Sequence, residues 1–178
     1  IVGYLGQLDA RDLVINALKK LEYRGYDSCG VAYFINNEVK VFKDNGRINE
    51  LEKTIDTFYS NYGIGHTRWA THGKPNKINS HPHTSMSNRY IIVHNGVIEN
   101  YLELKKDYLK NFNFKSETDT EVIANLLDVY GKIMDTSKAI EVVCSLLEGS
   151  FSLLIIDTFD LDKLYFVKNK IPFLFSLS

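Results

Sequence analysis

The sequence predicts an α+β domain made of layered sheets. Two observations carry that expectation: apolar, β-branched segments alternate with segments of helical period along the chain, and hairpins dominate over the βαβ crossovers that a doubly wound fold needs. Composition is a third, because 178 residues with 44% hydrophobic and 24% charged side chains describe an ordinary globular domain and exclude disorder. A chain of this length buries roughly 70% of its unfolded surface and needs neither metal nor disulfide to hold a core.

The elements follow in order. Residues 1–6 (IVGYLG) read as a buried strand. Asp9 can cap a helix over 10–22, in which Ala10, Val14, Ala17, Leu18 and Leu21 recur at helical spacing. Strands at 31–34 and 39–42 flank Asn36 and Asn37, which tolerate positive φ, and form a hairpin. Ile48, Leu51, Ile55 and Phe58 give a second helix. Residues 63–67 and 90–93 are strands, and the 22 residues from Arg68 to Arg89 between them show no period. Loops of that length in compact domains are usually functional. A helix after Asn100 carries Leu104 and Tyr108 on one face. Thr118-Asp119-Thr120-Glu121 reads as a capping box ahead of Val122, Ile123, Leu126 and Tyr130. A last helix over 137–148 buries Ile140, Val143, Cys144 and Leu147, and strands at 152–157, 163–168 and 173–177 complete the chain.

Charge and cysteine usage remove several classes of function. With 21 basic and 22 acidic residues the formal net charge is -1 and the pI about 6.6, so no basic face is offered to nucleic acid or anionic lipid. Cys29 and Cys144 have no metal-type spacing and read as reduced thiols of a cytoplasmic protein. No run of about 18 apolar residues suggests a membrane span. There is no signal peptide, and a first residue of Ile1 instead of methionine implies that residues upstream are missing.

Candidate chemistry concentrates in the middle of the chain. All five histidines, His66, His72, His81, His83 and His94, fall within 29 positions. His81-Pro82-His83 is not a zinc-binding spacing and the others sit on separate elements, so hydrogen bonds that pin the loop are expected instead of a metal. The octamer His66-Thr67-Arg68-Trp69-Ala70-Thr71-His72-Gly73 joins a strand end to the loop. Its Arg68 suits bidentate recognition of a carboxylate, the competing reading being an arginine stacked on Trp69 at the surface. Asn95-Gly96 ends the 90–93 strand and offers an amide and an unshielded N–H to an oxyanion, although Asn-Gly is also a common turn. Asp119 by default complements a helix dipole, but with Thr118 as the cap its carboxylate is free to meet an ammonium. Together these groups suit an amino acid whose side-chain carbonyl is attacked. The attacking group is not among them.

Several ordered segments resemble one family. Ile1-Val2-Gly3-Tyr4, Leu21-Glu22-Tyr23-Arg24-Gly25-Tyr26-Asp27-Ser28, the octamer, His81-Pro82-His83, Val93-His94-Asn95-Gly96 and Ser116-Glu117-Thr118-Asp119-Thr120-Glu121 resemble the glutaminase domains of glutamine:fructose-6-phosphate aminotransferases, the glucosamine-6-phosphate synthase family of class II glutamine amidotransferases. The resemblance runs from residue 1 to about 168. Class II amidotransferases of purine synthesis share the Asn-Gly but differ at Tyr-Arg-Gly-Tyr-Asp-Ser and Arg-Trp-Ala-Thr-His.

The resemblance implies a four-layer αββα N-terminal-nucleophile hydrolase fold over residues 1–178, incomplete at its C-terminus. It implies that L-glutamine is held by Arg68 with Thr71 and His72 at its carboxylate and by Asp119 at its ammonium. Asn95 and Gly96 become the oxyanion hole, Trp69 gates the ammonia path, and Arg24 and Tyr26 lie near the nucleophile. No cofactor is implied. The implied partner is a sugar-isomerase domain of the parent chain that binds fructose 6-phosphate and makes a homo-oligomer. Two departures stand out: the family's terminal Cys-Gly would stand immediately before Ile1, and residues 169–178 match only loosely. A catalytically dead amino-acid-binding or regulatory module is therefore the alternative reading, with the glutaminase domain of another class II amidotransferase as a third.

Overall fold

The computed structural model describes residues 1–69, 74 and 76–176. Two four-stranded antiparallel sheets dominate it. The first orders β1 (Val2–Leu5), β4 (Tyr62–Arg68), β2 (Ser28–Ile35) and β3 (Glu38–Asn45), and the second orders β5 (His83–Thr84), β6 (Tyr90–Ile98), β7 (Gly149–Asp157) and β8 (Tyr165–Asn169). Helices α1 (Ala10–Leu21) and α2 (Ile48–Lys53) belong with the first sheet, and α3 (Tyr101–Tyr108), α4 (Asp119–Tyr130) and α5 (Thr136–Leu146) with the second.

Side-chain alternation explains why these elements stack in four layers. In β2, Cys29, Val31, Tyr33 and Ile35 point to one side and pack against Val14, Ile15 and Leu18 of α1, while Ala32 points to the other. On that other side Ala32, Tyr62 and Ile64 meet Ile91, Val93, Leu154 and Ile156 of the second sheet. The opposite faces of β6 and β7 then bury Ile92, Leu153 and Ile155 under Val122, Leu126 and Val143. Three apolar layers thus separate four structural ones, giving the predicted αββα arrangement.

The expected Asn36-Asn37 hairpin is present, with φ of 52° and 67° at its two central residues. Other expectations need correction. The helix expected through Phe58 stops at Lys53, because the Thr54 hydroxyl donates back to the Leu51 carbonyl (2.7 Å) and caps it; Ile55 and Phe58 still pack on the core from the following coil. The strand expected at 173–177 is not formed over its described residues: Lys170 turns left-handed (φ 64°) and Pro172 has no N–H to give to a ladder. Phe173 and Phe175 fold back on the Phe166 ring instead, with centroids 5.3 and 5.4 Å away. Strand β5 has two residues, too few to show a period, and was not expected.

One buried ion pair locks the second sheet to its helices. Asp157, at the end of β7, receives Arg89 Nε and Nη2 at 2.9 Å each, while Arg89 Nη1 donates to the Gly131 carbonyl (2.7 Å) and Thr136 donates to Asp157. Burial opposes the Asp157 charge, but the bonds from Arg89 and Thr136 outweigh it and its carboxyl lies below the usual value. Removing one partner of such a pair leaves a buried charge alone, at a cost of about 3 to 5 kcal/mol. Arg89→Ala should therefore lower the urea midpoint strongly, whereas Lys138→Ala, which breaks the exposed Lys138–Glu141 pair, should leave it unmoved.

Candidate active site

At one end of the sheets the apolar layer gives way to a cavity of about 1760 Å³ whose lining includes β1, the end of β4, Asn95 and Gly96 on β6, and Thr118 and Asp119 at the start of α4. Period-two alternation accounts for its polar floor. Beyond Tyr62 and Ile64 on the inner face of β4 come His66 and Arg68, and beyond Ile91 and Val93 on β6 comes Asn95. The same two strands therefore carry the core at one end and the site at the other.

Gly96 is dictated by its surroundings. It has φ of +136°, and a Cβ there would meet the Ser150 carbonyl at 2.0 Å and Phe151 Cα at 2.8 Å. Gly30 allows a second close approach, since a Cβ would meet the His81 carbonyl at 2.1 Å, so the His81-Pro82-His83 segment can rest on β2.

That segment is the middle of a histidine cluster. The His81 ring lies 4.2 Å from His66, 4.9 Å from His83 and 6.3 Å from His94, centroid to centroid. His94 N–H donates to His81 Nδ1 (3.3 Å), His83 Nε2 shares a hydrogen bond with the Thr118 hydroxyl (3.1 Å), and His94 Nδ1 shares one with Thr120 (2.9 Å). These are the pinning bonds expected of the loop histidines, and they reach the start of α4 as well. Among the described residues no group of three His, Cys, Asp or Glu is arranged to hold a metal ion.

The capping box is not formed as the sequence suggested. Thr118 occupies the cap position but its hydroxyl is engaged by His83 and Ser116, and Glu121 reaches back to the N–H groups of Lys115 (2.8 Å) and Ser116 (2.6 Å). Nor is the Asp119 carboxylate free. Its Oδ2 accepts the Ile98 N–H (2.9 Å), and its Oδ1 accepts a long bond from the Thr120 hydroxyl (3.4 Å) and lies 3.8 Å from His94 Nδ1.

Arg68 is buried at the end of β4, and its Nη1 donates to the Lys74 carbonyl (3.4 Å). Burial lowers its pKa from the ordinary guanidinium value, while Asp27 and Asp119 act to raise it, so the two acids share one electrostatic field with the arginine. Asn79, which sequence reasoning missed, holds the base of this loop: its amide donates to the Lys74 carbonyl (3.0 Å) and Glu117 (3.1 Å) and accepts the Glu117 N–H (3.0 Å). No local pattern announces a partner 38 residues away.

The remaining predicted residues divide. Arg24 and Trp69 line the cavity, Trp69 with 62% of its surface exposed. Tyr26 is not part of the lining; its ring packs edge-on against Trp69 at 6.0 Å. Thr71 and His72 lie outside the described residues. Neither internal thiol suits a nucleophile, because burial pushes Cys29 up to about 12 and Cys144 up to about 11.

This fold is that of an amidotransferase domain of the terminal-nucleophile type. The chain belongs to the glutamine amidotransferase domain family, whose profile matches residues 52–170. It is 52% identical to the glutamine–fructose-6-phosphate aminotransferase (isomerizing) of Oceanobacillus iheyensis over 99% of its own length. It is also 50% identical to that of Listeria innocua and 52% to that of Staphylococcus aureus, each over 98% of this chain. The chain spans about 30% of the length of these relatives. Among solved structures it resembles the glutamine phosphoribosylpyrophosphate amidotransferase of B. subtilis, solved with ADP and GMP, at TM-score 0.76 and 25% identity over 88% of this chain and 34% of that one. An allosteric regulatory enzyme of purine biosynthesis matches equally, at TM-score 0.76 and 26% identity over 88% of this chain and 35% of that one.

Burial holds His66, His81 and His83 well below the ordinary imidazole value of 6.5, so all are neutral in the folded chain. Unfolded imidazoles take up protons below about pH 6.5, so the unfolded state binds more protons there and stability falls with pH, by up to about 1.4 kcal/mol per unit for each histidine. The urea midpoint should be flat above about pH 7.5 and drop steeply toward about pH 5. A His83→Gln variant should show a shallower drop.

Proposed function

We propose that this chain is the glutamine-hydrolysing part of a glutamine:fructose-6-phosphate aminotransferase. The observation that carries the reading is the convergence of a guanidinium, a carboxylate and an Asn-Gly pair on one cavity. Arg68 takes the α-carboxylate of L-glutamine as a planar fork. Asp119 takes the α-ammonium through Oδ1, helped by the bond that fixes Oδ2. The substrate's side-chain carbonyl then falls to the Asn95 amide and the Gly96 N–H, which strengthen their hold as the oxygen gains charge. Thr71 and His72 assist at the carboxylate.

The nucleophile of this reading is a cysteine two residues before Ile1, which with Val2 lines the cavity. Its thiol attacks the carboxamide carbon and its α-amino group, with an ordinary pKa of about 7.7 to 8.0, takes the thiol proton and returns it to the leaving nitrogen. Ammonia departs, and water cleaves the thioester to release glutamate and the free thiol. Trp69, exposed beside Tyr26 at the rim, gates the exit toward a sugar-isomerase domain holding fructose 6-phosphate, through which the parent chain forms a homo-oligomer. Arg24 supports the nucleophile from the cavity wall. The reduced cysteines fit a cytoplasmic enzyme, and no helix among the described residues is long and apolar enough to cross a membrane.

Two measurements test this reading. Arg68→Lys keeps the charge but loses the fork, and Asp119→Asn keeps the shape but loses the charge, so each should weaken glutamine binding by more than about tenfold, as a loss of roughly 1.5 to 3 kcal/mol requires. Unchanged affinity by calorimetry in both would place the substrate elsewhere. In the full-length protein carrying the terminal cysteine, a glutamine-analogue diazoketone should label that residue and leave Cys29 and Cys144 unlabelled. Label on Cys29 would move the catalytic segment to Asp27-Ser28-Cys29-Gly30.

A further inference from the structure

The β6–β7 register sets Ile91 opposite Ile156, Val93 opposite Leu154, and Asn95 opposite Ser152. The first two pairs lie in the apolar layer between the sheets, so the third, one pleat further on, faces the same way and stands at the floor of the cavity, which both residues line. Ser152 is 1% exposed and its hydroxyl has no hydrogen-bond partner among the described residues. Asn95, by contrast, is exposed, and its carboxamide holds no hydrogen bond among the described residues. Buried hydroxyls are rarely left unmatched, so one at the floor of a cavity calls for an explanation.

We propose that Ser152 is a positioning residue for the Asn95 carboxamide, an inference that rests on the glutamine-hydrolysis reading and adds a residue to it. A carboxamide has a donor end and an acceptor end of nearly equal size, and only the donor end stabilises an oxyanion. Something must therefore hold the oxygen of Asn95 away from the reacting carbonyl. Directly opposed residues of an antiparallel pair have Cβ atoms about 4.5 to 5.5 Å apart, close enough for the Ser152 hydroxyl to donate to Asn95 Oδ1. When glutamine fills the cavity, Asn95 turns inward, Ser152 O–H binds its oxygen, and the amide hydrogens are left pointing at the substrate. Ser152 touches neither the substrate nor the nucleophile.

The test uses the full-length protein with its terminal cysteine. Ser152→Ala should lower kcat for glutamine hydrolysis by about tenfold with KM within about twofold, because an interaction that strengthens only as the oxyanion forms acts on kcat. Ser152→Thr, which keeps the hydroxyl, should recover most of the loss. In an Asn95→Ala background Ser152→Ala should have no further effect, since the group it orients is gone. A kcat for Ser152→Ala within about twofold of the parent, or effects of the two substitutions that multiply independently, overturns the proposal. Absence of glutamine hydrolysis in the parent itself overturns the underlying functional reading, and the two failures are thus distinguishable.

Discussion

The arrangement of this domain hangs on the seam between the start of α4 and strand β6. Asp119 accepts the Ile98 N–H, and Thr120, fully buried, meets His94. A carboxylate at a helix N-terminus is favoured by the exposed N–H groups there, and here it also satisfies a strand N–H that would otherwise be buried unpaired. The seam fixes where α4 begins relative to β6. Because β6 carries Asn95 and Gly96, it also fixes the distance between the acid and the two donor groups. One set of polar contacts thus joins the helix layer, the sheet and the cavity.

Neutral histidines suit this seam for an electrostatic reason. The site already holds Arg68 in the field of Asp27 and Asp119, and a further cation would compete for those carboxylates. Burial keeps His66, His81 and His83 uncharged, so these three supply hydrogen bonds and ring contacts without adding charge. The His81 Nδ1 that accepts the His94 N–H must be unprotonated to do so, which ties the backbone entering the Asn-Gly pair to the neutral state of His81.

Fold and site differ in how they are written into the chain. Helix α1, the Asn36-Asn37 hairpin and the strands β4, β6 and β7 were legible because each depends on a local period or a residue whose own φ preference sets the turn. Failures occurred where a local rule met a tertiary competitor. Thr118 and Glu121 have the spacing of a capping box, yet His83 from 35 residues away takes the threonine hydroxyl and Glu121 turns to residues 115 and 116 instead. The segment at 173–177 has strand composition, but it follows Pro172, which has no N–H for a ladder, and Phe173 and Phe175 pack on the Phe166 ring instead.

By itself the sequence determined the layered α+β class and the family, and singled out Arg68, Asn95, Gly96 and Asp119 as candidates for an amino-acid site, because period, turn chemistry and ordered motifs are properties of neighbouring residues. Tertiary structure alone decided that Arg68, Asn95 and Asp119 border one cavity, that four histidines from separate elements touch, and that Ser152 faces Asn95. Those facts depend on strand register and on the packing of two sheets. A shift of one residue in register would turn Arg68, Asn95 and Ser152 to the other face of their sheets without altering a single local preference.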